Sequence, residues 1–233
     1  MSDTACLALL LDGPMQSWGF ASRFQRRTTG LHPTKSGVLG LICAAMGLAK
    51  GSNEERAMLP ELAKLRMSSI AIPREVPGAD TSLPILRLED YHTVLGTRRA
   101  SGKMNEDAVV TRRQYLLDAR FGVILAGERL ILDRITAALQ NPTWGVWLGR
   151  KSCIPAQPIL RGLFDTQADA ERSLIGDTPI DQFTRLEEAA NFEVGTDSYN
   201  DQPRSFGASD SSAQGRHYAA RRVHLIAGKI ADE

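Results

Sequence analysis

Cysteine is scarce in this chain: Cys6, Cys43 and Cys153 are an odd number, far apart, with no C-x-x-C or C-x-x-H spacing. That excludes a disulfide framework and a zinc site, and leaves reduced core thiols of the kind a cytoplasmic protein keeps. Apolar runs are short. None approaches the roughly 18 uninterrupted residues of a membrane helix. The start, MSDTACLALLLDGP, has no basic leader, so it reads as a strand ending in a turn rather than a signal peptide. There is no D-x-D or paired-histidine pattern to suggest a metal nuclease and no nucleophile beside an evident base, and no cofactor is expected. Net charge is nearly absent too, +1 over 233 residues, which taken alone speaks against a nucleic-acid binder.

The average hides a separation. Between Leu163 and Asp201 ten acids face two arginines, a net of −8, while the remainder carries 26 basic and 17 acidic residues, or +9. A basic body with an acidic annex can hold a polyanion on one side and dock or repel a partner on the other. With 233 residues and a hydrophobic fraction of 42%, the chain is long enough for one large domain, or one domain with an elaboration, around a real core.

The stretch RRTTGLHPTKSGVLGLICAAMGLAKG (26–51) gathers Arg26, Arg27, His32 and Lys35, with Arg23 just upstream, ahead of a glycine-studded apolar run. It is not a P-loop. From Gly30 to Lys35-Ser36 it is one residue short of G-x-x-x-x-G-K-[ST], lacks the second glycine and places Pro33 where an amide donor is wanted. The pattern predicts a helix over about 35–49, with Thr34 as N-cap. Val38, Leu39, Leu41, Ile42, Ala45, Met46 and Leu48 go most of the way round it, so burial on nearly all sides is expected. Gly37, Gly40 and Gly47, each unfavourable in a helix by about 1 kcal/mol, should mark close approach of a neighbouring backbone. The free amides at the helix start, the Thr34 and Ser36 hydroxyls and Lys35 then compose an anion site.

Elsewhere, residues 6–12 read as a buried central strand and 13–33 as a long polar loop. A second helix is predicted over 53–65 and a strand in SSIAIPRE. The arms 83–96 and 109–127 flank the polar tip TRRASGKMNEDA and suggest a long hairpin. ERLILDRITAALQNP is an amphipathic helix with Leu130, Ile131, Ile135, Ala138 and Leu139 on one face. WLGRKSCIPAQPIL is a loop entering a strand, and RRVHLIAG a last strand returning to the sheet. The order β-α-β-β-α-β predicts an α+β, ferredoxin-like (RRM-like) domain over 1–162. A β-hairpin thumb about 83–118 is inserted in it, and a small acidic C-terminal elaboration, 163–233, is appended.

LLLDGPMQSWG, TGLHPTKSGVLGLICAAMGL, DYHTVLGTRR, TRRQYLLDARF and LGRKSCIPAQPI occur in that order, and each resembles a block of the CasD family. That family is the handle-binding subunit of the type I-E CRISPR Cascade complex, within the RAMP superfamily. The resemblance covers roughly residues 5–160, with a weaker echo in the last strand. It implies a non-catalytic, cytoplasmic subunit that binds the five-prime handle of the crRNA and caps the backbone filament. Its other partners would be the backbone and large Cascade subunits and, through the complex, target DNA, with no membrane involved.

The same resemblance implies site residues. Met15, Gln16 and Trp18 fall in the family's glycine-rich loop near the handle, where Trp18 either stacks on an unpaired base or packs under the loop. Arg27, Thr34, Lys35 and Ser36 match basic and hydroxyl positions ahead of the helix and are the leading phosphate contacts. Arg23 and Arg26 are basic where the family has uncharged or acidic residues. Arg113 matches a basic position on the thumb's return strand, and Arg112 stands where an aromatic is expected, so it would stack through its guanidinium plane. Arg150 and Lys151 match a basic pair beside Cys153, a packed thiol.

His92, in DYHTVLG, joins the RNA-binding set. It also raises an alternative, a metal-independent endoribonuclease that processes the crRNA precursor as in the type I-C sister branch. There Tyr91, His92, Lys103 and Tyr115 would supply the general base, oxyanion partner and phosphate stabiliser. A lone histidine on a strand is more often a structural hydrogen-bonder, so the binding role is preferred.

Overall fold

The computed structural model describes residues 3–19, 25–75, 82–83, 85–99, 101–191, 193–203 and 218–229. Its elements, in chain order, are β1 (Thr4–Asp12), β2 (Met15–Gln16), β3 (Arg26–Arg27), α1 (Lys35–Ala45), α2 (Asn53–Lys64), β4 (Arg66–Ala71), β5 (Arg74–Glu75) and β6 (Ser82–Leu83). There follow β7 (Leu86–Val94), β8 (Val109–Leu117), β9 (Arg120–Glu128), α3 (Arg129–Gln140), β10 (Leu160–Phe164), α4 (Gln167–Ile175), β11 (Arg185–Glu188), β12 (Asp197–Pro203) and β13 (Tyr218–Ile226).

β1 explains the layering. After Thr4 every residue of TACLALLLD is buried, and a strand apolar on both faces must be covered on both. One set of side chains, Leu7, Leu9 and Leu11, packs with Phe121, Val123 and Leu125 of β9 against Val38, Leu39 and Ile42 of α1 and Leu132 and Ile135 of α3. The alternate set, Cys6, Ala8 and Leu10, packs with Ile124 against Ala170 and Leu174 of α4. All three cysteines are buried free thiols.

The fold is mixed α+β. β1 pairs antiparallel with β10 and β9, and β9 with β4. β11, β13 and β12 extend the same sheet, giving the order β10-β1-β9-β4-β11-β13-β12. The acidic annex is therefore built into the central sheet: three of its strands lengthen one edge, and α4 covers the second face. That cover is tight, since a Cβ on Gly122 would stand 2.9 Å from Leu174 Cδ1.

Helix α1 is buried most of the way round, as its composition requires. It stops at Ala45, short of the predicted 49, because Gly47 turns left-handed (φ +71°) and the Gly47 and Leu48 N–H groups fold back to Ala44 and Cys43. Gly37 has a different reason: a Cβ there would lie 3.0 Å from the Trp18 ring. The close neighbour is an indole, where the sequence had suggested a backbone. In α3, Leu132 and Ile135 are buried but Leu130 is 65% exposed, so it lies off the apolar face assigned to it. No helix among the described residues is long and apolar enough to cross a membrane.

A second, smaller sheet stands beside the first. β7 and β8 form an antiparallel hairpin in register from Leu86↔Leu117 to Val94↔Val109. The predicted arm 109–127 is two strands in two sheets, divided at Asp118, which takes φ 50°. Two described parts of the polar loop 13–33 are strands: β2 pairs antiparallel with the foot of β8, and β3 pairs parallel with its middle, both on the side away from β7.

Candidate nucleic-acid interface

Lys35, the basic residue at the start of α1, has found its anions inside the chain. The main-chain N–H of Lys35 donates to Asp201 Oδ2 at 2.7 Å, and Arg221 grips the same carboxylate through Nε and Nη2 at 2.6 and 2.9 Å. The Lys35 ammonium, 1% exposed, donates to both Glu188 oxygens and to the Ala63 carbonyl, each at 3.0 Å. Glu188 Oε2 also accepts from the Met67 N–H, with Arg221 Nη1 3.8 Å away. Burial lowers the pKa of the Lys35 ammonium, and the Glu188 charge offsets some of that shift. The helix-terminus anion site is real, and Asp201 fills it.

Lys35 is therefore corrected as a phosphate contact: in this fold it is the buried partner of a carboxylate 153 residues away. Thr34 does occupy the N-cap position, but it is 2% exposed and its hydroxyl caps no amide. Ser36 is half-buried beside them. His32 is buried as well, with Nδ1 3.1 Å from Ser69 Oγ and its ring against Phe121, and burial lowers its pKa to about 4.

Trp18 and Gln16 are corrected in the same way. Both are 0% exposed. Gln16 Nε2 donates to the Leu11 and Ala119 carbonyls at 2.9 and 2.6 Å, and its Oε1 accepts from Trp18 Nε1 at 3.0 Å. The indole is thus satisfied and wedged under α1, out of reach of any base. Met15, half-buried opposite Leu117, packs against the same core.

The small sheet keeps its charge outside. Arg26 and Arg27 are exposed on β3 and stand in register with Arg112 and Arg113 of β8. Arg112 is exposed; Arg113 is half-buried and donates through Nε to Thr111 Oγ1 at 3.3 Å. Arg150 acts as their brace. Its guanidinium lies 4.6 Å from the Tyr115 ring centroid and donates to the Gln114 carbonyl at 2.9 Å and the Arg27 carbonyl at 3.0 Å. It thereby ties β3 and β8 to the loop 148–153. That loop can pass only because residue 149 is glycine: at φ +98°, a Cβ would fall 1.8 Å from the Ser17 carbonyl oxygen. Lys151, next along, is exposed. Arg23 lies outside the described residues.

The residues offered for cutting do not converge. Tyr91 and His92 are consecutive on β7 and project to opposite faces. Tyr115 is buried beneath Arg150, and Lys103 is exposed in the hairpin's tip. His92 is half-buried opposite Thr111.

Sequence reasoning found these arginines but missed Asp201, Glu188 and Arg221. The available signal was the acidic annex itself, whose excess charge matched the basic stretch 26–35 in the same chain.

The family described as CRISPR-associated protein (Cas_Cas5) matches residues 6–224, from β1 into β13. The CRISPR system Cascade subunit CasD of Escherichia coli (strain K12) is 32% identical over 178 residues, 75% of this chain and 77% of that one. A chain from a solved CRISPR RNA-guided surveillance complex shares the fold with a TM-score of 0.70 at 28% identity, over 95% of this chain and 89% of its own. A Cas protein crystal structure does so with a TM-score of 0.63 at 31% identity, over 96% and 95% of the two chains. The residues, the strand order and these likenesses agree, and the chain belongs to the Cas5 family of CRISPR-associated proteins.

Proposed function

We propose that this chain is the crRNA-binding subunit of a type I-E CRISPR surveillance complex and holds the five-prime handle of the guide on its small sheet without cutting it. One observation carries the placement. Arg26 with Arg112 and Arg27 with Arg113 are adjacent register pairs on neighbouring strands, one pair on each face of the small sheet, with exposed Lys151 next to Arg150. A sheet edge basic on both faces suits a sugar–phosphate chain that passes over it, because phosphate contacts supply most of the affinity for RNA while bases supply specificity. The main sheet is a poorer surface: α4, with Asp169 and Glu171, seals the face opposite α1 and α3 over β10, β1 and β9.

In this reading β1, β4, β9 and β10 with α1–α3 are the ferredoxin-like core, and β7–β8 is its thumb. Partners would be the crRNA, the backbone and large subunits, and target DNA through the assembly, in the cytoplasm. The separation of Tyr91, His92 and Tyr115 favours holding over cutting. The test is binding of a labelled handle RNA by the purified chain. Specific retention of intact RNA supports the proposal, and indifference to the handle sequence, or cleavage lost in His92→Ala, contradicts it.

A further inference from the structure

Resting on that reading, we infer that Tyr91, Arg112 and Arg26 form a slot for one unpaired base of the bound RNA, and that the neighbouring Glu89–Gln114 pair selects a base bearing an exocyclic amino group. The argument starts from register. Tyr91 of β7 is directly opposite Arg112 of β8, and Arg112 is the partner of Arg26 on β3. Partners across strands project to the same face, so an aromatic ring and two guanidinium groups stand in one row. At about 5 Å per strand, the row is ~10 Å long. That is the reach of one nucleotide from base to phosphate.

The row is open. Tyr91 is 64% exposed, the Arg112 side chain 58% exposed, and Arg26 exposed. A large aromatic left in water beside two exposed guanidinium groups has no packing role among the described residues. Single-stranded RNA matches both properties, since unpaired bases stack on aromatic rings and guanidinium planes while their phosphates attract cations. Arg112 approaches one carboxylate, Glu89, at 3.8 Å, too long for a tight pair.

The next register pair inward on this face is Glu89 opposite Gln114, with Gln114 Nε2 donating to Glu89 Oε2 at 3.3 Å. Glu89 Oε1, 3.8 Å from Arg112 Nη1, can still accept a further hydrogen bond at the margin of the slot. A carboxylate accepts from the amino group of cytosine, adenine or guanine. Uracil presents none, and its carbonyl oxygens face the carboxylate unfavourably. Arg26 and Arg112 are, with Arg23, positions where this chain is basic and the family resemblance implied an uncharged, acidic or aromatic residue. Their meeting in one row makes the slot a local specialisation.

The experiment places 2-aminopurine at each handle position in turn and measures binding and fluorescence with the full chain. One position should be quenched by wild type and by Tyr91→Phe but not by Tyr91→Leu, whose affinity should fall on the order of tenfold. An abasic nucleotide at that position should remove the difference between wild type and Tyr91→Leu. Uracil there should bind several-fold more weakly than cytosine to wild type, and equally to Glu89→Ala. Unchanged affinity and quenching in Tyr91→Leu would overturn the slot, and a discrimination against uracil that persists in Glu89→Ala would overturn the selection. If wild type binds no handle RNA, the proposed function falls and takes this inference with it. If wild type binds while Tyr91→Leu is silent, only the slot falls.

Discussion

Lys35 and Glu188, 153 residues apart in the chain, meet inside the protein at 3.0 Å with the ammonium 1% exposed. Together with Asp201 and Arg221 they join the first turn of α1 to strands β11, β12 and β13. In the sequence, the basic stretch and the acidic annex looked like separate surfaces for separate partners. Folded, Lys35 of the one meets Glu188 and Asp201 of the other in a single internal contact.

Removing one half should be expensive. Glu188→Ala leaves the Lys35 ammonium buried with a single carbonyl partner and should lower stability by about 3–5 kcal/mol. Replacing both, as Lys35→Met with Glu188→Leu, should cost far less. Denaturant midpoints of the two single variants and the double variant measure the difference.

RNA binding should respond elsewhere. Arg27→Ala and Arg113→Ala should each weaken handle binding and reduce the slope of log K against log salt by about 0.7, the value for one phosphate contact on a single strand. Lys35→Met, by contrast, should leave that slope unchanged at temperatures where the variant stays folded. Titrations between 50 and 200 mM salt, roughly the range over which such slopes are read, would separate them.

Acid should loosen the fold through His32. Burial holds its pKa near 4, against an ordinary value of 6.5, so the neutral ring is the folded form. A depressed histidine contributes nothing unfavourable above pH 6.5. Below that the unfolded chain takes up a proton that the folded one resists, so stability falls with pH until about 4. The loss approaches about 3 kcal/mol at its limit. His32→Gln should flatten the fall between pH 6.5 and 4 in a thermal-melt series.

Gly149→Ala should disrupt the brace. Both the left-handed backbone and the Ser17 carbonyl oppose a Cβ there, and a penalty on the order of 2 kcal/mol or more is expected. Because Arg150 hangs from the same loop, handle affinity should drop along with the melting temperature, whereas Ser152→Ala, exposed on that loop, should change neither.

Much of this was legible in the residues. The eight buried positions of β1, the apolar girth of α1 and the β7–β8 hairpin follow from local pattern, because each is set by neighbours within a few residues. The five ordered blocks led to the family. What local pattern cannot supply is who meets whom across the chain. Lys35 had the type and position of a phosphate ligand, and only the return of β11–β13 turned it inward. Trp18 had stacking chemistry, and only the absence of a side chain at Gly37 made room to bury it. Leu130 fitted the helical period yet faces water, because the edge of the α3 contact runs between it and Ile131.

Where RNA touches this protein can be read by photocross-linking the handle to the full chain and mapping the modified peptides. Adducts should fall on β3, on β7 and β8 around Tyr91 and Arg112–Arg113, and on the Arg150–Lys151 loop. Adducts concentrated instead on α4, or on α1 around Lys35, would mean that the small sheet is not the cradle.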